Sequence, residues 1–143
     1  GRDGGSIDDV EALATDLAQR TRVFGALDTL ENLKKGGRIG NAKAMLATVL
    51  SIKPIIEVAG GIVEEAGKQR TRSKALTYLV DKVRSFDGKI ANLAVLHADC
   101  GDVDLFVDML TPHYDGDIVI GEIGPVIGTH GGRGTIGVAF HEL

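Results

Sequence analysis

The chain has 143 residues, 43% of them hydrophobic and 25% charged, which suits one folded domain with a real core and counts against a disordered segment. Aromatic residues make up 4%, Trp is absent and the net charge is −4 with dispersed basic residues, so neither a base-stacking platform nor a DNA-binding footprint is present and no nucleic-acid partner is expected. The single cysteine, Cys100, excludes an internal disulfide and a Cys-rich zinc site, and no apolar run approaches the ~18 residues of a membrane span, which makes a cytoplasmic protein the expectation.

Residues 1–5 carry no initiator Met and lead straight into a helical pattern. They are set aside as a disordered or cloning-derived leader of a truncated chain, and residues 6–143 are read as one domain. Ser6 is a candidate N-cap, with Asp8, Asp9 and Glu11 where carboxylates suit the helix dipole. Ile7, Val10, Leu13, Ala14 and Leu17 recur at helical spacing and predict an amphipathic helix over 7–20. The apolar run in 22–27 predicts a strand. A short helix capped at Asp28 or Thr29 then stops at Lys34-Lys35-Gly36-Gly37.

Another helix is expected over 41–51, where Ala42, Met45, Leu46, Val49 and Leu50 form one apolar stripe and Pro54 forbids extension. Residues 53–59 and 62–65, joined by Gly60-Gly61, predict a β-hairpin. A helix over 73–85 turns Leu76, Leu79, Val80 and Val83 inward. Residues 89–97 read as a buried strand, 102–110 as a helix, and 117–121 and 135–140 as strands. Strands interleaved with helices imply an α/β (α+β) fold: one mixed β-sheet packed with helices, without internal repeats.

The chemistry concentrates in Gly124-Pro125-Val126-Ile127-Gly128-Thr129-His130-Gly131-Gly132-Arg133-Gly134, placed between two predicted strands. Its glycines let backbone N–H groups approach an anion, and Thr129, His130 and Arg133 add a hydroxyl, an imidazole and a cation. The alternative is a long flexible loop with an incidental His. Gly132-Arg133-Gly134-Thr135-Ile136-Gly137 matches the dinucleotide pattern literally, but no helix follows it and no acid stands about 20 residues on, and the Gly-Lys-Ser/Thr of a P-loop is missing. Arg38, between a helix stop and a helix start, faces an anion at the next helix N-terminus or is a solvated corner residue. The 41–51 stripe reads as core. His97, Asp99 and Cys100 suit a metal or Cys–His pair by type; without a second ligand cluster they read as strand-end residues, so no metal is expected. No Ser-His-Asp spacing or paired carboxylates emerge, and no catalytic residue is assigned.

Six blocks in order resemble the C-terminal half of a DegV-family protein: Leu27-Asp28-Thr29-Leu30, Lys34-Lys35-Gly36-Gly37-Arg38-Ile39-Gly40, Ile52-Lys53-Pro54-Ile55, Arg70-Thr71-Arg72-Ser73-Lys74-Ala75, Leu96-His97-Ala98-Asp99, and Glu122-Ile123-Gly124-Pro125-Val126-Ile127-Gly128-Thr129-His130. The resemblance implies the C-terminal domain of a two-domain fold that binds a long-chain fatty acid and is not itself an enzyme. It further implies that the acyl chain lies in an apolar tunnel with Met45, Leu46 and Val49 as wall candidates, and that the carboxylate sits near His130, Thr129 and Arg38. A separate ATP-dependent fatty acid kinase subunit, met through Arg70 and Arg72, would convert the carboxylate to acyl phosphate. The bound fatty acid is the ligand, no cofactor is implied, and transient membrane contact is compatible. Two departures stand out: the N-terminal domain that supplies hydroxyl ligands is missing, and Gly131-Gly132-Arg133-Gly134 replaces the family's Thr-Gly-Pro-Gly. The competing readings are a phospho-ligand or anion-binding enzyme domain using the 124–134 segment, and a plain protein-interaction module.

Overall fold

A computed structural model describes residues 4–47 and 51–143. In chain order the elements are α1 (Ile7–Arg20), β1 (Thr21–Ala26), α2 (Glu31–Lys35), a 3₁₀ helix (Gly40–Ala47), β2 (Lys53–Ala59), β3 (Ile62–Gln69), α3 (Arg72–Arg84), β4 (Ile90–His97), α4 (Val103–Leu110), a 3₁₀ turn (Thr111–His113), β5 (Val119–Glu122), α5 (Pro125–Gly131) and β6 (Ile136–Glu142). The six strands form one sheet in the order β3-β2-β1-β6-β4-β5. All neighbours are antiparallel except β4 and β5, which α4 joins as a crossover.

Local chemistry explains the helix ends. In α1 the Ser6 hydroxyl accepts from the Asp9 N–H at 3.2 Å while the Asp9 carboxylate accepts from the Ser6 N–H at 2.9 Å, a reciprocal capping box. In α3 the Thr71 hydroxyl accepts from the Lys74 N–H at 3.2 Å. The two helices differ in packing. Helix α3 buries Ala75, Leu76, Leu79, Val80 and Val83, whereas α1 buries nothing and leaves Ile7 84% and Leu13 57% exposed.

Successive strand residues point to opposite faces. One face sends Phe24, Ile55, Leu93, Val95, Val138 and Phe140 into the main core against α3 and α4, where Phe106 and Leu110 complete the packing. A second cluster, Leu27, Leu30, Leu33, Ala42 and Met45 with half-buried Ile56 and Val63, sits on the other face at one end of the sheet.

Two expectations need correction. The segment expected as a loop between strands contains α5, because Pro125 pre-sets the first helical φ and lacks only an N–H that would be unpaired anyway. Gly132, at φ +85°, then ends the helix in a conformation an L side chain resists. The helix expected over 41–51 is a 3₁₀ helix over Gly40–Ala47, whose three-residue turn places Ala42 and Met45 on one buried side. Val49 and Leu50 lie outside the described residues.

Candidate functional site

The sheet face turned away from α3 and α4 is made of small and branched aliphatic residues. The register sets Ile56, Gly25, Gly137, Leu96 and Gly121 side by side across five strands, and Val23, Ala139, Ala94 and Val119 in the next row. Over β1 and β6 this makes a shallow trough, floored by Gly25, Gly137 and Ala139 and walled by Ile56 and Leu96. Val58 and Val119 on its flanks are 40% and 62% exposed, while on the opposite face Phe24, Val95, Val138 and Phe140 are buried. An extended six-residue strand such as β1 runs about 20 Å, enough to lie along most of a long acyl chain.

The two ends of the trough differ. At the end where β1 leaves the sheet and β6 enters it, α2 packs against α5. A pocket of about 250 Å³ opens there, lined by apolar Leu30, Met45, Leu46, Ile52 and Pro54 and by polar Asp28, Thr29, Glu31 and Ser51. At the other end a cavity of about 790 Å³ lies between Ala18 of α1 and Thr21, Val23 and Val58 of the sheet, within the usual range for small-molecule sites.

His130 occupies the last turn of α5. Its Nδ1 is out of contact with solvent and has no hydrogen-bond partner among the described residues, an arrangement that costs a hydrogen bond unless a ligand supplies it. The ring lies so close to Gly36 that a Cβ there would stand 2.1 Å from Nδ1; only glycine admits the imidazole. Arg38 is exposed and reaches the same corner, its Nη1 donating to the Gly36 carbonyl at 3.3 Å. The structure thus brings His130 and Arg38 together around Gly36. Thr129 is turned differently: it is exposed and its hydroxyl donates to the Pro125 carbonyl at 2.7 Å within α5. Met45 is buried, Leu46 half-buried, and Val49 lies outside the described residues.

Arg70 and Arg72 have separate fates. Arg70 is exposed and forms no ion pair among the described residues. Arg72 makes a two-pronged contact with Asp102 at 2.8 and 2.9 Å and also donates to the Gly134 carbonyl. It ties the start of α3 to the start of α4 and to the glycine-rich segment. That hydrogen bond from Arg72 lowers the Asp102 carboxyl below its ordinary 3.8 and raises the guanidinium. Because the folded Asp102 is depressed, its contribution is full above pH 3.8 and is lost as acid protonates it. Thermal melts against pH should therefore show an acid limb that Asp102→Asn flattens. Arg72→Ala should lower stability by about 1–3 kcal/mol at neutral pH, measured by urea titration.

Sequence reasoning missed the polar surroundings of the glycines. A Cβ on Gly132 would meet Asn32 Nδ2 at 2.2 Å, and one on Gly134 would meet Asp28 Oδ2 at 2.2 Å. Asn32 and Gly36 stand four residues apart on α2 and its C-cap, which was the available signal that they share a side facing 130–134, whereas Asp28 precedes the helix and carried no such signal. Arg133 pairs with Asp99 out in solvent, both side chains more than 70% exposed. Asp99 has φ +52°, so strand alternation ends before Cys100, whose Sγ faces the Thr135 carbonyl at 3.3 Å. Among the described residues no group of three or more His, Cys, Asp or Glu side chains is placed to hold a metal.

The comparisons agree with this architecture. A family model described as "Uncharacterised protein, DegV family" matches residues 2–143. A DegV domain-containing protein of Clostridium acetobutylicum is 35% identical over 142 residues, covering 97% of this chain and 50% of the relative. The solved structure of a fatty-acid-binding DegV family protein from Thermus thermophilus is similar at a TM-score of 0.89 and 32% identity, over 99% of this chain and 52% of that one. A DegV family protein from Eubacterium eligens, solved with heptadecanoic acid, is similar at a TM-score of 0.84 and 25% identity, over 99% and 52%. The chain spans about half the length of the relatives it matches.

Proposed function

The chain belongs to the DegV family, and from that membership we propose that it is the acyl-chain-holding part of a long-chain fatty-acid-binding protein. The observation that carries this reading is the aliphatic trough on the open sheet face with the unpartnered His130 Nδ1 at its α5 end. Each methylene removed from water contributes about 0.8 kcal/mol, so the trough and the cavity beside α1 supply affinity. His130 and Arg38 fix which end of the lipid lies at the α2–α5 corner, with Thr129 close by on the outer side of the same helix.

The carboxylate held there is presented to a separate ATP-dependent fatty acid kinase subunit that forms acyl phosphate; this chain binds and orients, and does no chemistry itself. The setting we propose is the bacterial cytoplasm. No helix of the described residues is long and apolar enough to cross a membrane, and transient contact with a bilayer suffices for loading. The relatives solved with fatty acid support the ligand class. The phospho-ligand reading has less support, because Arg133 turns outward to Asp99 and α5 takes the place of an open loop.

The direct test is to produce the protein together with the half its relatives carry, extract it, and identify bound lipid by mass spectrometry. A long-chain fatty acid is expected; an empty protein that ignores added oleate and palmitate would overturn the reading. For the kinase surface, Arg70→Glu is the clean probe, since reversing Arg72 would also break its bond to Asp102. Arg70→Glu should leave oleate binding unchanged and suppress acyl phosphate formation by the kinase subunit at least about tenfold, the loss expected for a well-placed interface charge.

A further inference from the structure

Two buried side-chain polar atoms have no hydrogen-bond partner among the described residues, and both stand at the same corner: His130 Nδ1 and Thr135 Oγ1. Buried polar atoms are almost always paired, so each such exception asks for an explanation. Thr135 is only 8% exposed. Its backbone is already engaged, with the N–H donating to the Gly132 carbonyl at 3.3 Å and the carbonyl accepting from the Ala98 N–H at 2.8 Å. That last bond extends the β4–β6 ladder one step past the His97–Ile136 pair. Ile136 points into the main core, so Thr135 falls on the opposite face, in line with Gly137 and Ala139. Its hydroxyl lies under the last turn of α5, where a Cβ on Gly131 would be 3.0 Å from Oγ1. Gly131 is the residue next to His130.

We infer that the Thr135 hydroxyl is a second ligand of the fatty-acid carboxylate, donating from the sheet side while His130 donates from the helix side. This rests on the fatty-acid reading above and adds a residue to that site. A carboxylate offers two oxygens with about four acceptor positions, so both donors can be satisfied at once. Thr129, by contrast, has spent its hydroxyl on its own helix.

The hydroxyl can be removed without changing the side chain's shape. Thr135→Val and Thr135→Ser should be compared with the parent, each produced with the half that relatives carry, for binding of oleate and of methyl oleate. Thr135→Val should weaken oleate about tenfold to a hundredfold and Thr135→Ser about twofold or less, as for a hydrogen bond to a charged group. Methyl oleate, whose neutral carbonyl is a weaker acceptor than a carboxylate, should lose distinctly less than oleate on Thr135→Val. Without lipid, Thr135→Val should melt at or above the parent, since an unpaired buried hydroxyl is replaced by an apolar group of the same size. Thr135→Ala gives the same binding comparison should the Val variant fail to fold. Unchanged oleate binding by Thr135→Val, or equal losses for oleate and its ester, overturns the inference alone. A parent protein that takes up neither lipid overturns the fatty-acid reading and this inference together.

Discussion

Gly25→Leu should fold normally and bind oleate about fifty-fold more weakly than the parent. A Cβ at Gly25 meets nothing closer than 3.8 Å, namely the Ile136 carbonyl oxygen and Ile56 Cγ1, so a side chain can start from the trough floor at ordinary contact distances. It would occupy the space of about three acyl methylenes, and at about 0.8 kcal/mol each the loss is about 2–2.5 kcal/mol, or fifty-fold in affinity. The measurement is oleate binding by calorimetry alongside a thermal melt. Gly137→Ala supplies the contrast on the neighbouring strand. Its Cβ would stand 2.4 Å from the Phe24 carbonyl oxygen and 3.2 Å from the Gly25 Cα; these are backbone atoms that cannot step aside. That variant should be damaged in stability, whereas Gly25→Leu should be damaged in binding. A Gly25→Leu protein that bound oleate as tightly as the parent would place the acyl chain elsewhere.

Gly36→Ala should act as a remote substitution of His130. Gly36 has φ −79° and ψ −2°, ordinary helical values, so alanine costs no backbone strain there and should gain about 0.4–1 kcal/mol by restricting the unfolded chain. The new Cβ would nevertheless collide with His130 Nδ1 at 2.1 Å and Cε1 at 2.5 Å. A side-chain ring can move where a backbone cannot, so the imidazole is pushed out of the corner. The expected result is a protein at least as stable as the parent that binds oleate about tenfold to a hundredfold more weakly, matching His130→Ala. The double variant Gly36→Ala/His130→Ala should bind no worse than His130→Ala, because both changes remove one interaction. Independent, additive losses would show that Gly36 acts by another route.

These predictions draw on positions of unequal legibility. The helices α1 and α3 and the β2–β3 hairpin could be read locally, since a cap, a periodic stripe or a Gly60-Gly61 turn lies within a few residues of what it controls. Helix α5 was hidden by its own composition. Its glycines suggested a loop, and the deciding residue was Pro125 at the first helical position. The apolar stripe after Gly40 was visible, but 3.6-residue and 3-residue turns share enough positions in eight residues that the pattern alone did not separate them.

Within the site, residue types were legible and partners were not. His130 and Arg38 could be named from the sequence; that they meet at Gly36 follows from α2 packing on α5. Arg72 reads as one of a basic group until Asp102, thirty residues along, engages it. Thr135 carried no signal beyond its place before a strand, because an unpaired hydroxyl is a property of surroundings and not of sequence.

The family and the α/β architecture with its mixed sheet are therefore matters that the amino-acid order determines by itself. They rest on short-range preferences and on motifs that are contiguous in the chain. Which sheet face is left open, that Gly25 and Gly137 lie side by side on it, and that His130 and Thr135 keep polar atoms without a partner among the described residues were decided only by tertiary structure. Strand pairing sets side chains from distant parts of the chain next to one another, and a hydrogen bond is made or withheld by distance in space.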